Sequence, residues 1–387
     1  MSSMLQPVIL LTFVLSFAAI LIQRGIFFFF NEHHHLSGTQ SLLVALVTGA
    51  VYVGGACLSH RFTRRVPERR ALLLLLGGLA ACAAACWFLR GFAAMAAAFT
   101  IFSLLTGMTW PVVESFAASV QDARAASRSI GVFSISWSLA LPLSVWASGP
   151  LIKAGGGWLF AAAVLLLAAV AALAFRLPGR PHHALDGGAP AELPPAGYRP
   201  LLHASRWTMV VSYALLMILV PLLPLVLKER GYPVAQATFF AGLLDIMRPG
   251  VFAVMLFATG WHGRRLPLLA AALLLPAGFA LTLYGSSPWV FVPGELIFGV
   301  GASIAYYCAL YYAMVLSRGS VDGGGGHEAV VGTGFTIGPL AAFAGQFLGA
   351  QTGHPQLGLL AGIAPIIAVC LAGTFASLAA AGKVRKA

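Results

Sequence analysis

Charge is what this chain has least of. Only 9% of its 387 residues are Asp, Glu, Lys or Arg, against about 25% in an ordinary soluble domain. A soluble fold of this length needs far more polar surface to cover it. Acidic residues are the scarcest, 11 against 23 Lys and Arg. The five cysteines (Cys57, Cys82, Cys86, Cys308, Cys370) all lie in apolar runs, where thiols pack as small apolar groups rather than as a disulfide framework. These shortages exclude a cytosolic globular protein, a disordered chain and a secreted disulfide scaffold. What is abundant is apolar: 59% hydrophobic residues and a mean hydropathy of +0.90. That is the composition of a polytopic membrane protein. The net charge of +12 falls in short loops between apolar runs. It is not clustered on a polar face as nucleic-acid binding requires, so membrane lipid, and no nucleic acid, is the expected partner.

A bilayer-crossing helix needs about 20 apolar residues. The uncharged runs give twelve such spans: 4–30, 40–58, 70–89, 93–118, 129–152, 157–175, 205–228, 236–259, 266–284, 288–316, 328–350 and 355–381. They are continuous, without the alternation of barrel strands. Span 1 is too long for a signal-peptide core and is read as retained. With both termini cytoplasmic, the inner loops hold 17 of the 23 Lys and Arg residues. The outer loops then hold four (Arg90, Lys153, Lys228, Arg230) and the spans two, Arg24 and Arg248. This bias follows the positive-inside rule. Arg176–Ser205 carries six prolines and Gly187-Gly188 and reads as a cytoplasmic linker. The expected organisation is therefore residues 1–175, a linker 176–204, and residues 205–387, with six spans on each side. Leu58-Ser-His-Arg-Phe-Thr-Arg64-Arg65 after span 2 is echoed by Ala258-Thr-Gly-Trp-His-Gly-Arg264-Arg265 after span 8. Parallel halves of this kind are a transporter design.

In this architecture the chain resembles the major facilitator superfamily along its whole length. The family's loop pattern between helices 2 and 3 is Gly-x-Leu-x-Asp-Arg-x-Gly-Arg-Arg. The chain reads Ala56-Cys-Leu-Ser-His60-Arg61-Phe-Thr-Arg64-Arg65 there. Leu58, Arg61 and the Arg pair match; the glycines and the Asp do not. The resemblance implies an all-α polytopic membrane protein, with twelve transmembrane helices in two pseudo-symmetric six-helix bundles. In the family the Asp braces an inner gate against the start of helix 11. His60 takes its place here, and Glu328 is the candidate carboxylate that would reach Arg61 or Arg65. The Gly-Pro pair that exchangers of the family carry in helix 5 occurs only as Gly149-Pro150, at the end of span 5. The family's cavity is lined by helices 1, 4, 7 and 10. That nominates Gln23, Arg24, Trp110, Glu114, Tyr213, Glu295, Tyr306, Tyr307, Tyr311 and Tyr312.

Ionisable groups inside spans cost roughly 2.5–3.5 kcal/mol each on insertion scales and face a bundle interior or a cavity. Five occur: Arg24, Glu114, Asp245, Arg248 and Glu295. At 1.5 Å per residue, Arg24 lies about 9 Å from the outer end of span 1 and Glu295 roughly 10 Å from that of span 10. Glu114 lies near the opposite end of span 4. Depth thus ranks Glu295 first and Asp245 second as the partner of Arg24. Asp245 and Arg248 share one face of span 8 by their i, i+3 spacing. A desolvated carboxylate that exchanges a cation for a proton is a coupling element; the alternative is a permanent structural pair. Pro249-Gly250 predicts a bent or unwound backbone there. Trp110-Pro111 predicts a kink in span 4. The tyrosines of span 10 need hydroxyl partners if buried; the alternative for Tyr312 is plain aromatic packing. Gly334/Gly338 and Gly345/Gly349 permit close helix packing without implying an oligomer, and a monomer is expected.

Glu32-His33-His34-His35 has no fixed metal geometry, and His327-Glu328 lacks the second His of a zinc-protease helix. Gly323–Gly326 lacks the Lys-Ser/Thr of a phosphate loop and reads as a flexible turn. No metal or cofactor is expected. The expected function is secondary active transport of a small molecule by alternating access, coupled to protons or another ion, in a plasma membrane of the bacterial inner type. Candidate coupling groups are Asp245, Arg248 and Glu114. The competing readings are a membrane-embedded enzyme on lipid-linked substrates and a transporter-like ligand sensor.

Overall fold

The structure, a computed structural model, describes residues 5–117, 123–181, 197–317 and 321–384. The middle of the expected linker, with Gly187-Gly188 and three of its prolines, lies outside the described residues, as do Arg318, Arg385 and Lys386. Twelve helices are long and apolar enough to cross a membrane, and no strand occurs among the described residues. Large apolar side chains such as Trp289, Phe88 and Phe257 stand exposed on them, which suits a lipid environment.

Span 1 is two helices, Leu5–Gln23 and Gly25–His34. Spans 2 to 6 are Gly38–Thr63, Glu68–Phe88, Phe92–Ala117, Ala123–Ala154 and Gly157–Ala174. Spans 7 to 9 are Tyr198–Glu229, Val234–Phe257 and Leu266–Tyr284. Spans 10 to 12 are Pro288–Leu316, Val321–Thr352 and Pro355–Val384. Most ends fall within a few residues of the hydropathy boundaries. Span 7 begins earlier than expected and absorbs the end of the linker. Span 11 also begins early, so the expected turn at Gly323–Gly326 is instead helical. Glycine costs up to about 1 kcal/mol per helical residue relative to Ala. Extending an existing apolar helix avoids the nucleation cost, however, which is the larger barrier.

Contacts sort the chain into two compact units. One is Met1–His35, Val51–Glu192 and Gly231–Pro249; the other is Leu36–Ala50, Leu193–Arg230 and Gly250–Ala387. We call them unit 1 and unit 2. Within unit 1, span 1 packs on spans 5 and 6, and span 3 on spans 4 and 6. Within unit 2, span 7 packs on spans 11 and 12, and span 9 on span 10 and, less extensively, span 12. The same pairing recurs about 200 residues along, as the sequence echo implies. Spans 2 and 8 are each divided: 36–50 belongs to unit 2 and 231–249 to unit 1. In unit 1, the Trp146 indole donates to the Phe239 carbonyl at 2.9 Å, joining spans 5 and 8. In unit 2, the equivalent joint is between spans 2 and 11, where a Cβ on Gly49 would strike the Phe335 backbone.

The break in the backbone is not where proline predicts it. Pro111 and Pro249 both sit inside continuous helices, so of the bend or unwinding expected at Pro249-Gly250 the unwinding is absent. The interruption falls at Arg24 (φ −106°, ψ −42°) in span 1. The helix closes there with Arg24 N donating to Ile20 O at 2.9 Å. Gly25 opens the next helix, pressed against Ser148 and Leu159 of spans 5 and 6, where a Cβ would lie about 3.0 Å from its neighbours. Irregular backbone at this depth persists because it is packed against protein, not lipid.

Candidate functional site

In unit 1, Asp245 is fully buried and receives two guanidinium groups. Arg248 Nε donates to Asp245 Oδ1 at 2.8 Å from the next turn of span 8. Arg24 Nη1 donates to Asp245 Oδ2 from the break in span 1. Arg248 is 2% exposed and its guanidinium lies 5.7 Å from the ring centroid of Trp137 on span 5, within cation–π range. Three charged side chains, two guanidiniums and one carboxylate, thus meet between spans 1 and 8, with the Trp137 ring of span 5 beside them. A buried carboxylate is tolerable only with such partners.

The partner order expected for Arg24 is therefore reversed: Asp245 takes the place given to Glu295. The reason is a helix end. Span 1 runs to His34, not to residue 30, which puts Arg24 about 15 Å from that end at 1.5 Å per residue. Asp245 lies about 16 Å along span 8 from Val234, whereas Glu295 is only roughly 10 Å from Pro288. Glu295 is itself completely buried, on span 10 of unit 2.

The other unit 1 candidates lie apart from the trio. Gln23 precedes the break and is half-buried; Trp110 and Glu114 are half-buried on span 4. His60, Arg61 and Arg65 are exposed at the end of span 2 and just beyond it.

In unit 2 the candidates form two aromatic groups. Tyr213 of span 7 meets Tyr306 at 6.4 Å and Phe335 at 5.5 Å between ring centroids. Phe252 of span 8 lies against Tyr306 at 5.7 Å and Tyr307 at 5.5 Å. His327 approaches Tyr306 edge-on at 4.8 Å. The second group lies at the loop between spans 8 and 9. There His262 stacks on Tyr311 at 4.3 Å, and Trp261 packs on Tyr311 at 4.9 Å. Burial pushes the His262 imidazole below its ordinary pKa. Tyr312 combines both sequence readings. It packs edge-on with Tyr198 at 5.1 Å, and its hydroxyl accepts from Gly263 N at 3.2 Å. Glu328 is buried at the start of span 11.

Sequence reasoning missed Trp137, Phe252, Arg206 and His327. Arg206 was counted only as an inner-loop charge, and His327 only as part of a failed zinc motif. Arg206 stood one residue inside the expected start of span 7, whereas His327 fell one residue before the expected start of span 11. Among the described residues, no group of three or more His, Cys, Asp or Glu side chains is placed to hold a metal ion, and the five cysteines are free thiols.

Twelve apolar spans make a polytopic membrane protein, and the comparisons with known proteins give its class. The chain belongs to the Major Facilitator Superfamily, whose profile matches residues 9–345. No curated protein matches it at a significant level. Among solved structures it is similar to the human organic anion transporter MFSD10 (TETRAN), with 15% identity and a TM-score of 0.64 over 96% of this chain and 99% of that one. It is also similar to a bacterial homologue of the human lysosomal transporter Spinster in an inward-facing, unoccupied conformation, with 15% identity and a TM-score of 0.64 over 99% and 94%. The nucleoside transporter NupG, in a point-mutant form, gives 12% identity and a TM-score of 0.68 over 96% and 99%. At these identities the likeness is one of fold. The protein is a multi-pass integral membrane transporter of the superfamily, and its cargo is a small molecule.

Proposed function

We propose that the protein is a secondary active transporter working by alternating access, and that Asp245 couples transport to protons. The observation that carries this is the two-sided hold on one buried carboxylate: Arg248 from its own helix and Arg24 from the break in span 1. While both guanidiniums are in place the carboxylate stays ionised. If the segment around the break moves and withdraws Arg24, the desolvated carboxylate takes up a proton in exchange. A carboxylate that alternates between a cation and a proton links a conformational change to a proton gradient.

The moving bodies in this reading are residues 1–175 and 205–387, joined by the linker 176–204. Their termini are cytoplasmic and the membrane is a plasma membrane of the bacterial inner type, on the strength of the Lys and Arg distribution. Gln23, Arg24, Trp110, Glu114, Tyr213, Glu295, Tyr306, Tyr307 and Tyr311 line the solute pathway. His60, Arg61, Arg65 and Glu328 act at the inner gate, and a monomer is the working unit. The test is Asp245→Asn in proteoliposomes. The variant inserts and folds but loses pH-driven accumulation of solute; undiminished accumulation removes Asp245 from the mechanism.

A further inference from the structure

The start of span 11 carries polar atoms that the transport reading leaves unused. His327 is 2% exposed, and among the described residues neither Nδ1 nor Nε2 has a hydrogen-bond partner. A buried polar group without a partner is costly, and each one in a native protein calls for a reason. Arg206, near the start of span 7, reaches the same place. A Cβ on Gly326 would stand 3.5 Å from its Nη2, and it lies close enough to His327 to act on it electrostatically. The Arg206 Nε is likewise buried and, among the described residues, without a hydrogen-bond partner. Glu328, next in the chain, has a partner of its own.

The unspent inventory is specific. Guanidinium nitrogens only donate; a neutral imidazole donates at one nitrogen and accepts at the other. Two donors beside a fixed positive charge suit an anion. The adjoining wall is aromatic: Tyr306 meets the imidazole edge-on, with Tyr213 and Phe252 behind it.

We propose that Arg206, His327 and Tyr306 form a subsite for the anionic group, carboxylate or phosphate, of an organic solute that this protein carries. The assignment rests on the transporter reading for the word "carries", but binding itself is measured at equilibrium without any gradient. A failure of proton-driven flux in Asp245→Asn therefore leaves it standing, and its own failure leaves the coupling proposal standing.

The experiment is thermal unfolding of the purified full chain in neutral detergent. The probes are benzoate and inorganic phosphate, with benzamide as the neutral analogue of benzoate and sodium chloride as the ionic-strength control. Benzoate or phosphate should raise the unfolding midpoint, and benzamide and chloride should not, since a ligand stabilises by mass action. Arg206→Gln should weaken the apparent affinity by about tenfold or more, the value of one charge-assisted hydrogen bond. His327→Phe should abolish the shift while leaving the ligand-free midpoint unchanged or raised, because it removes two unsatisfied nitrogens and keeps a ring. The proposal is overturned if neither anion shifts the wild-type protein, or if the shift survives in both variants. It is also overturned if only phosphatidylglycerol added to the detergent micelles, and not phosphatidylcholine, produces the shift, since that assigns the site to a lipid headgroup.

Discussion

In unit 1 the buried ionic groups of spans 1 and 8 are tied together: Asp245 is bonded on both oxygens and Arg248 also faces the Trp137 ring. In unit 2 the Tyr306 ring, itself packed on Tyr213 and Phe252, meets an imidazole whose two nitrogens find no hydrogen-bond partner among the described residues. The two units repeat one helix-packing plan, yet they handle polarity in opposite ways. A satisfied ionic cluster resists change until a partner is withdrawn, which suits a switch. An aromatic wall around unsatisfied donors gains from a guest, which suits recognition. Similar folds divide the work by where hydrogen bonds are completed and where they are left open.

That contrast can be broken most forcefully at Asp245. Removing one member of a buried pair costs about 3–5 kcal/mol. Asp245→Ala should therefore lower stability in detergent far more than Tyr306→Phe does. Equal effects on the unfolding midpoint would erase the distinction between the units. A purely steric lesion should fall next. Gly338 packs against the Ala214 backbone of span 7 with no room for a Cβ, so Gly338→Ala should cost roughly 1–3 kcal/mol by overpacking. That is measurable as a lower midpoint without loss of the anion response. His327→Phe, by contrast, should change ligand-free stability by less than about 1 kcal/mol, because no hydrogen bond is lost. The smallest effect concerns pH. Burial lowers the His262 pKa, so the unfolded chain binds more protons than the folded one. Stability is then full above the ordinary imidazole value and declines as pH falls from it toward the lowered value. His262→Phe should flatten that acid slope in midpoints recorded between about pH 7.5 and 5.5.

The fold was legible because hydropathy and loop charge are properties of whole segments. Twelve runs, their alternation and the repeat at about 200 residues need no side-chain detail. The site was legible only in its parts. Arg24, Asp245 and Arg248 announce themselves as charges in apolar surroundings, but their pairing depended on four residues at the end of span 1. Phe27–Phe30 looked like the close of that span, whereas Asn31–His34 continues it. Proline did not locate the backbone break, since Pro249 is absorbed within a helix while Arg24-Gly25 interrupts one. His327 was invisible for another reason: a lone histidine beside a glycine run carries no spacing signal, and only its burial reveals it.

The central claim is that the Arg24–Asp245 pair couples protons rather than merely bracing two helices. Its most direct test is the charge-free pair Arg24→Gln with Asp245→Asn, compared with both single variants in proteoliposomes. The double variant should be more stable than Asp245→Asn alone, because only Arg248 is then left without its carboxylate, and should still pass solute downhill. It should show no accumulation under an imposed pH gradient. A double variant that concentrates solute as the wild type does would contradict the account and leave the pair with a structural role alone.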